Sequence, residues 1–213
     1  MWDAFIGLVQ EALIVCYKVG LSLGIESYGG AIIIFTIIIK LLMFPITMKQ
    51  IKSTKAMQDI QPRMKALQEK YKNDKERLQQ EMLKLYKDTG FNPLAGCLPL
   101  VAQMPVLIGV FYALRDFDYG SVVPSFMWLP SLAAPDPIYV LPVLSALTTF
   151  VQSYLTMPDL NSSQNKMMLY FMPMFIGYIS LQFPSGLVLY WTITNLLQIL
   201  QQLWFTHKEK QLA

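Results

Sequence analysis

Long uncharged runs along this chain have the length of membrane spans, and one densely charged stretch separates the first from the rest. The first run covers 27–48 and is interrupted only by Lys40. The second covers 94–114 and the third 137–158. A fourth reaches from Met167 to Thr206, about twice the ~20 residues that one helix needs to cross the hydrocarbon layer. Phe183-Pro184-Ser185-Gly186 is a turn signal inside that run and divides it into helices over 167–181 and 186–206. Five membrane helices are therefore expected. Residues 1–26 are apolar too, but Asp3, Gln10, Glu11, Lys18 and Ser22 recur at helical spacing and form one polar stripe. That pattern predicts an amphipathic helix lying in the membrane interface.

The charged stretch, 49–91, has a helical period of its own. Met57, Ile60, Met64, Leu67 and Tyr71 form one apolar stripe, Asn73-Asp74 marks a turn, and Leu78, Met82 and Leu85 form a second stripe that ends at Thr89-Gly90. Two amphipathic helices joined by a short turn make a hairpin. Pro62 is expected to kink or restart its first arm. Little apolar surface is left over for docking, so a paddle that swings as a unit is expected.

Composition agrees with the pattern. Hydrophobic residues make up 54% of the 213 and charged residues 15%. The positive charge is segregated, with eleven of the seventeen Lys and Arg lying between Lys49 and Lys87. Basic loops stay on the cytoplasmic side, which puts the hairpin there. Alternation then places 115–136 outside, with Asp116, Asp118 and Asp136 against one Arg. The loop 159–166 is inside, the 183–185 turn outside, the tail 207–213 inside and the N-terminus outside. The net charge of +3 sits largely in that one loop and gives no reason to expect a nucleic-acid partner. Cys16 and Cys97 lie in unrelated segments and suggest no disulfide framework.

Lys40 is the charge that needs explaining. An ammonium near the middle of a span costs roughly 2.5–3.5 kcal/mol on insertion scales, so such a group usually faces a polar cavity. Other spans supply polar stripes: Thr36 and Thr47 beside Lys40; Ser145, Thr149, Gln152 and Thr156 in the third span; Trp191, Asn195, Gln198 and Gln202 in the last, with Thr194 alongside. Gln103 adds an amide from the second. A shared, water-accessible cavity with Lys40 as its only charge is the expectation. No span offers an acidic partner, so the counter-charge is water, a lipid headgroup or a visitor. The visitor is either a carboxylate on a passing polypeptide or an anionic solute, the latter making the protein a transporter or channel. Enzymatic readings fare worse. The single His, His207, lies in the tail, and the sequence has no Gly-rich phosphate loop, no His/Cys cluster for a metal and no intramembrane Asp pair. A non-enzyme without a cofactor is expected.

Two stretches carry a resemblance. Asn92-Pro93-Leu94-Ala95-Gly96-Cys97-Leu98-Pro99, followed by Gln103-Met104-Pro105, resembles the second-span signature of the YidC/Oxa/Alb membrane protein insertases. Phe183 to Trp191, continuing to Asn195-Leu196 and Gln201-Gln202, is similar to that family's last span, and Ile60-Gln61-Pro62 with Met64-Lys65 and Leu67-Gln68 to its cytoplasmic hairpin. The resemblance implies an all-α membrane protein whose five helices surround a hydrophilic groove open to the cytosol and sealed outside. It implies insertion and chaperoning of nascent membrane proteins in the bacterial cell membrane, with the Sec translocon and the ribosome as candidate partners. It implies a positive residue on the first span, which is Lys40, and the stripe residues expected to line such a groove with it are Thr36, Gln103, Ser145, Thr149, Gln152, Trp191, Asn195 and Gln198. Family members usually carry Arg where Lys40 stands; lysine keeps the charge and loses the bidentate fork. The chain resembles the compact Gram-positive type.

Overall fold

The computed structural model describes residues 2–90, 98–115, 125–157 and 163–212. Within them the chain is all-α, with eight helices: α1 (Trp2–Ser22), α2 (Tyr28–Leu42), α3 (Phe44–Lys70), α4 (Lys75–Thr89), α5 (Leu98–Arg115), α6 (Val140–Thr156), α7 (Ser163–Ser180) and α8 (Ser185–Leu212). The Asn92–Cys97 part of the second-span motif, with Asp116, Asp118 and the first half of the 159–166 loop, lies outside the described residues.

Local chemistry sets most boundaries. Ser27 caps α2 by accepting from the Gly30 amide at 3.2 Å, and Asp74 caps α4 by accepting from the Arg77 amide at 3.0 Å. Gly90 ends α4 in the left-handed region, φ 64°, where a side chain would be strained. The turn before α8 falls at 181–184, where Pro184 was expected to place it. Two features differ from the expectation. The 27–48 segment is not one helix: it breaks at Met43, and α3 leaves α2 at 65° with Pro45 in its first turn. And of the two outcomes expected at Pro62, a kink or a restart, the restart is absent: α3 runs on through it to Lys70.

The core lies at one end of the bundle. Ala31, Ile32 and Phe35 of α2, Val110, Ala113 and Leu114 of α5, Leu141 of α6 and Leu187 to Tyr190 of α8 are all buried together. Leu129 and Leu132 from the segment between α5 and α6 drop into the same cluster. That segment is tied down by main-chain bonds: the Ser185 amide donates to Ala134 O at 2.8 Å and the Gly186 amide to Leu132 O at 2.9 Å. Its described part, 125–139, forms a lid that packs on the start of α8 and on the core cluster. Between membrane helices the lipid is as apolar as the side chains, so close packing holds them rather than water exclusion. Small residues permit it. A Cβ built on Gly29 would meet the Phe126 ring and stand 2.6 Å from its Cβ, leaving no space for a methyl group. Gly29→Ala is therefore expected to displace the lid and to cost about 1–3 kcal/mol, the usual penalty for overpacking, read as a lower unfolding temperature in detergent.

By length and composition α1 is apolar enough to cross a membrane. Its contacts run to α2 and α5. Near its start Phe5 fills the space at Gly109, and Gln10 Nε2 donates to Ala113 O at 3.3 Å. Near its far end Tyr17 stacks on Tyr28, the first residue of α2, with centroids 4.3 Å apart. Val9, Leu13 and Cys16 face the core, whereas Glu11 and Lys18 point away, exposed.

The hairpin arms differ. No residue of α4 is buried, while Ile51, Ile60 and Met64 of α3 are. Gln58 Nε2 donates to Met157 O, at the end of α6, at 3.4 Å. The α3 stripe was expected to be used up within the hairpin; it also seats that arm on the bundle, against α2, α5 and α6.

Candidate functional site

Beyond the core, toward the hairpin, the interior turns polar. Lys40 lies on the inner face of α2 and keeps only 5% of its surface exposed. Its Nζ donates to Gln198 Oε1 on α8 at 3.2 Å. Among the described residues no carboxylate stands within ion-pair distance of it. An ammonium has three donors and a full charge, and one neutral amide oxygen answers only part of that.

Further hydrogen bonds extend from this pair. Gln198 Nε2 donates to Gln50 Oε1 on α3 at 3.3 Å. One turn along α8, Asn195 Nδ2 donates to Thr149 Oγ1 at 2.9 Å and to Thr148 Oγ1 at 3.3 Å, both on α6. Trp191 Nε1 reaches the same Thr149 hydroxyl at 3.3 Å. Toward the core, the Ser145 and Ser180 hydroxyls sit 3.0 Å apart, linking α6 to α7. Thr36 is fully buried one turn from Lys40, and its hydroxyl donates to Ile32 O of its own helix at 2.6 Å. Gln152 is half-buried on α6 and takes no part in these bonds. Gln103 stands apart, donating to the Tyr190 hydroxyl at 2.6 Å between α5 and α8.

The structure thus joins Lys40 to Gln198, and Asn195 and Trp191 to Thr149, in two separate hydrogen-bonded groups on neighbouring turns of α8. It places Gln103 and Ser145 nearer the apolar core. The polar rows close on one another, and two clefts found elsewhere do not include Lys40. One, of about 430 Å³, lies between the hairpin arms at Arg63, Leu67, Glu81 and Lys84. The other, about 330 Å³, is at Phe44, Leu200, Gln201 and Trp204. Sequence reasoning missed Gln50, Thr148, Tyr190 and Ser180. Gln50 had no signal, because only the bend at Met43 turns it back toward α8. Thr148 directly precedes Thr149 and was passed over for its neighbour.

No three of His, Cys, Asp and Glu gather among the described residues to suggest a metal centre. A helical bundle with an apolar core at one end, a polar interior and a buried lysine lacking a counter-charge describes a membrane protein with a hydrophilic interior. The family model described as 60Kd inner membrane protein matches residues 20–211, and the chain belongs to that family. It is 46% identical over 178 residues to the membrane protein insertase YidC of Syntrophus aciditrophicus, covering 84% of this chain and 32% of that one. It is 44% identical over 185 residues to membrane protein insertase YidC 1 of Listeria monocytogenes serotype 4b, covering 83% of this chain and 63% of that one. The chain therefore spans from about a third to under two thirds of these relatives' length. Its fold is similar to that of an active YidC insertase crystal structure with the first transmembrane domain resolved. The TM-score is 0.74 at 25% identity, over 94% of this chain and 46% of the other.

Proposed function

We propose that this chain is a membrane protein insertase and chaperone of the bacterial cell membrane. In this reading α2, α5, α6, α7 and α8 span the bilayer, the lid and α1 lie outside, and the basic hairpin with the C-terminal end of α8 lies in the cytoplasm. The carrying observation is Lys40: a buried cation with a neutral partner and no carboxylate, in a chain whose relatives are named insertases. A site of this kind attracts an acidic residue on an incoming polar tail. The polar faces of α6 and α8 hydrate or hydrogen-bond that tail partway across, which shortens the apolar distance left to cross. Exit of the substrate's apolar helix into lipid then provides the driving force. No nucleotide or cofactor enters this mechanism. Nascent membrane proteins are the substrates and the lipid bilayer is the acceptor phase; the Sec translocon and the ribosome are further candidate partners. The relatives compared are insertases, and nothing in the site favours the anion-transporter reading over insertion.

The direct test is reconstitution. Proteoliposomes containing only this protein should insert a single-span protein with a short acidic tail, scored by protection of the tail from external protease. Equal protection in empty liposomes would overturn the proposal. The sidedness has its own test. In a background without Cys16 and Cys97, cysteines at Gln152, Asn195 and Thr36 should react with an impermeant thiol reagent added from the cytoplasmic side and hardly from outside. The rates should fall in that order, because Gln152 is half-buried, Asn195 buried and Thr36 fully enclosed. Equal labelling from both faces would indicate a through-channel.

A further inference from the structure

The Gln198 amide is used at both ends, and its two partners sit on different parts of the machine. Oε1 accepts from Lys40 at 3.2 Å, inside the bundle, and Nε2 donates to Gln50 at 3.3 Å, on the first turns of α3. Those turns form the base of the hairpin, just past the 65° bend. From the insertion reading above, we infer that Gln198 stands in for the substrate carboxylate at Lys40 and acts as a latch, so that capture of an acidic residue there also releases the base of the cytoplasmic hairpin.

The argument is geometric. An amide is planar, with oxygen and nitrogen held in a fixed relation, so Gln198 cannot withdraw its oxygen from Lys40 while keeping its nitrogen in place. A carboxylate arriving at Nζ makes a charge-assisted bond roughly twice as strong as a neutral one, and it approaches the ammonium where Oε1 now lies. Two acceptors in that position repel each other. If the amide swings aside, Nε2 leaves Gln50. If it turns over to offer Nε2 to the carboxylate, its oxygen faces the oxygen of Gln50. Either motion breaks the bond as it stands. The surroundings suit a latch. Lys40 is occluded at rest, which protects a lone charge from adventitious anions, and the nearby Thr47 and Ile51 of α3 are buried against the bundle, so a loosened Gln50 is felt by packed backbone. Gln198 is thus a positioning residue, and Gln50 is its receiver.

Hydrogen exchange of the full chain in lipid nanodiscs reads this directly, over residues 44–56. In the resting protein, Gln198→Met and Gln50→Met should each speed exchange there by roughly 2- to 10-fold, the range that corresponds to losing one hydrogen bond of ordinary net strength. The wild type should show the same acceleration on adding a short-tailed, single-span substrate with Asp in its tail, and not with Asn in that place. Gln198→Met should no longer respond. Resting exchange equal to wild type in both variants would overturn the latch, whatever the proteoliposomes do. Failure of the wild type to insert the Asp substrate would instead overturn the insertion reading, leaving the resting comparison to judge the Gln198–Gln50 link. Acceleration by the Asn substrate equal to that by Asp would show that capture of charge is not the trigger.

Discussion

Lys40→Ala is expected to slow the insertion of substrates with acidic tails by roughly 10- to 100-fold, the equivalent of one charge-assisted hydrogen bond at about 1.5–3 kcal/mol. Tails without Asp or Glu should be affected far less. Lys40→Arg should retain most of the activity, because the charge stays and the guanidinium adds a bidentate grip on a carboxylate. The reasoning follows from where the charge lies. Lys40 is buried at 5% exposure, its partner is the neutral Gln198, and no carboxylate among the described residues offsets it. The field it projects into the polar interior is therefore uncancelled and poorly screened, so an entering carboxylate gains more here than it would in water. Initial rates in proteoliposomes, compared across tails that differ only in Asp against Asn, separate this electrostatic role from general damage. Full activity of Lys40→Ala on strongly acidic tails would remove that role.

What the sequence made legible was local. A Phe-Pro-Ser-Gly turn, an Asp before a charged helix and a Gly after it each signal through nearest neighbours, and each has its expected counterpart in the structure, whereas the lysine amid isoleucines is buried against Gln198 rather than open to a cavity. The break at Met43 was harder to read. Apolar residues flank it without interruption, and Pro45 favours the first turn of a new helix as readily as it interrupts an old one. Pro62 lies on an exposed face of α3 and does not end that helix. The polar stripes of α6 and α8 were legible from spacing, because residues three and four apart share a helix face. Which stripe residues meet was not, because that depends on depth and rotation. Gln103 has the right chemistry and position on α5, yet it bonds Tyr190 rather than the Lys40 group. Gln50 could be found only after the 65° bend was known.

Asp136 shows the same limit most sharply, and its replacement should have the largest effect on stability. From the sequence it counts as one more negative charge in an outer loop. In the structure it is 2% exposed and organises the lid. Its Oδ1 accepts from the Trp128 indole at 3.2 Å and from the Ile138 amide at 3.1 Å, and its Oδ2 accepts from the Leu141 amide at 2.7 Å. The last of these lies in the first turn of α6, where unsatisfied amides favour a negative charge. Tyr139, held between them at φ 61°, is a non-glycine residue in the left-handed region, a conformation that needs such support. Asp136→Ala leaves three donors without an acceptor, each at about 1–3 kcal/mol when buried. The expected loss is about 3 kcal/mol or more, or roughly 6–12 °C in unfolding temperature for a chain of this size. Asp136→Asn should recover part of it, since one oxygen remains to accept while the new amide nitrogen opposes another N–H. Heating in detergent, with Trp128 fluorescence read in a background carrying Trp2→Phe, Trp191→Phe and Trp204→Phe, follows the lid itself. An unchanged transition in Asp136→Ala would mean that Leu129 and Leu132, packed into the core beneath, hold the lid without the carboxylate.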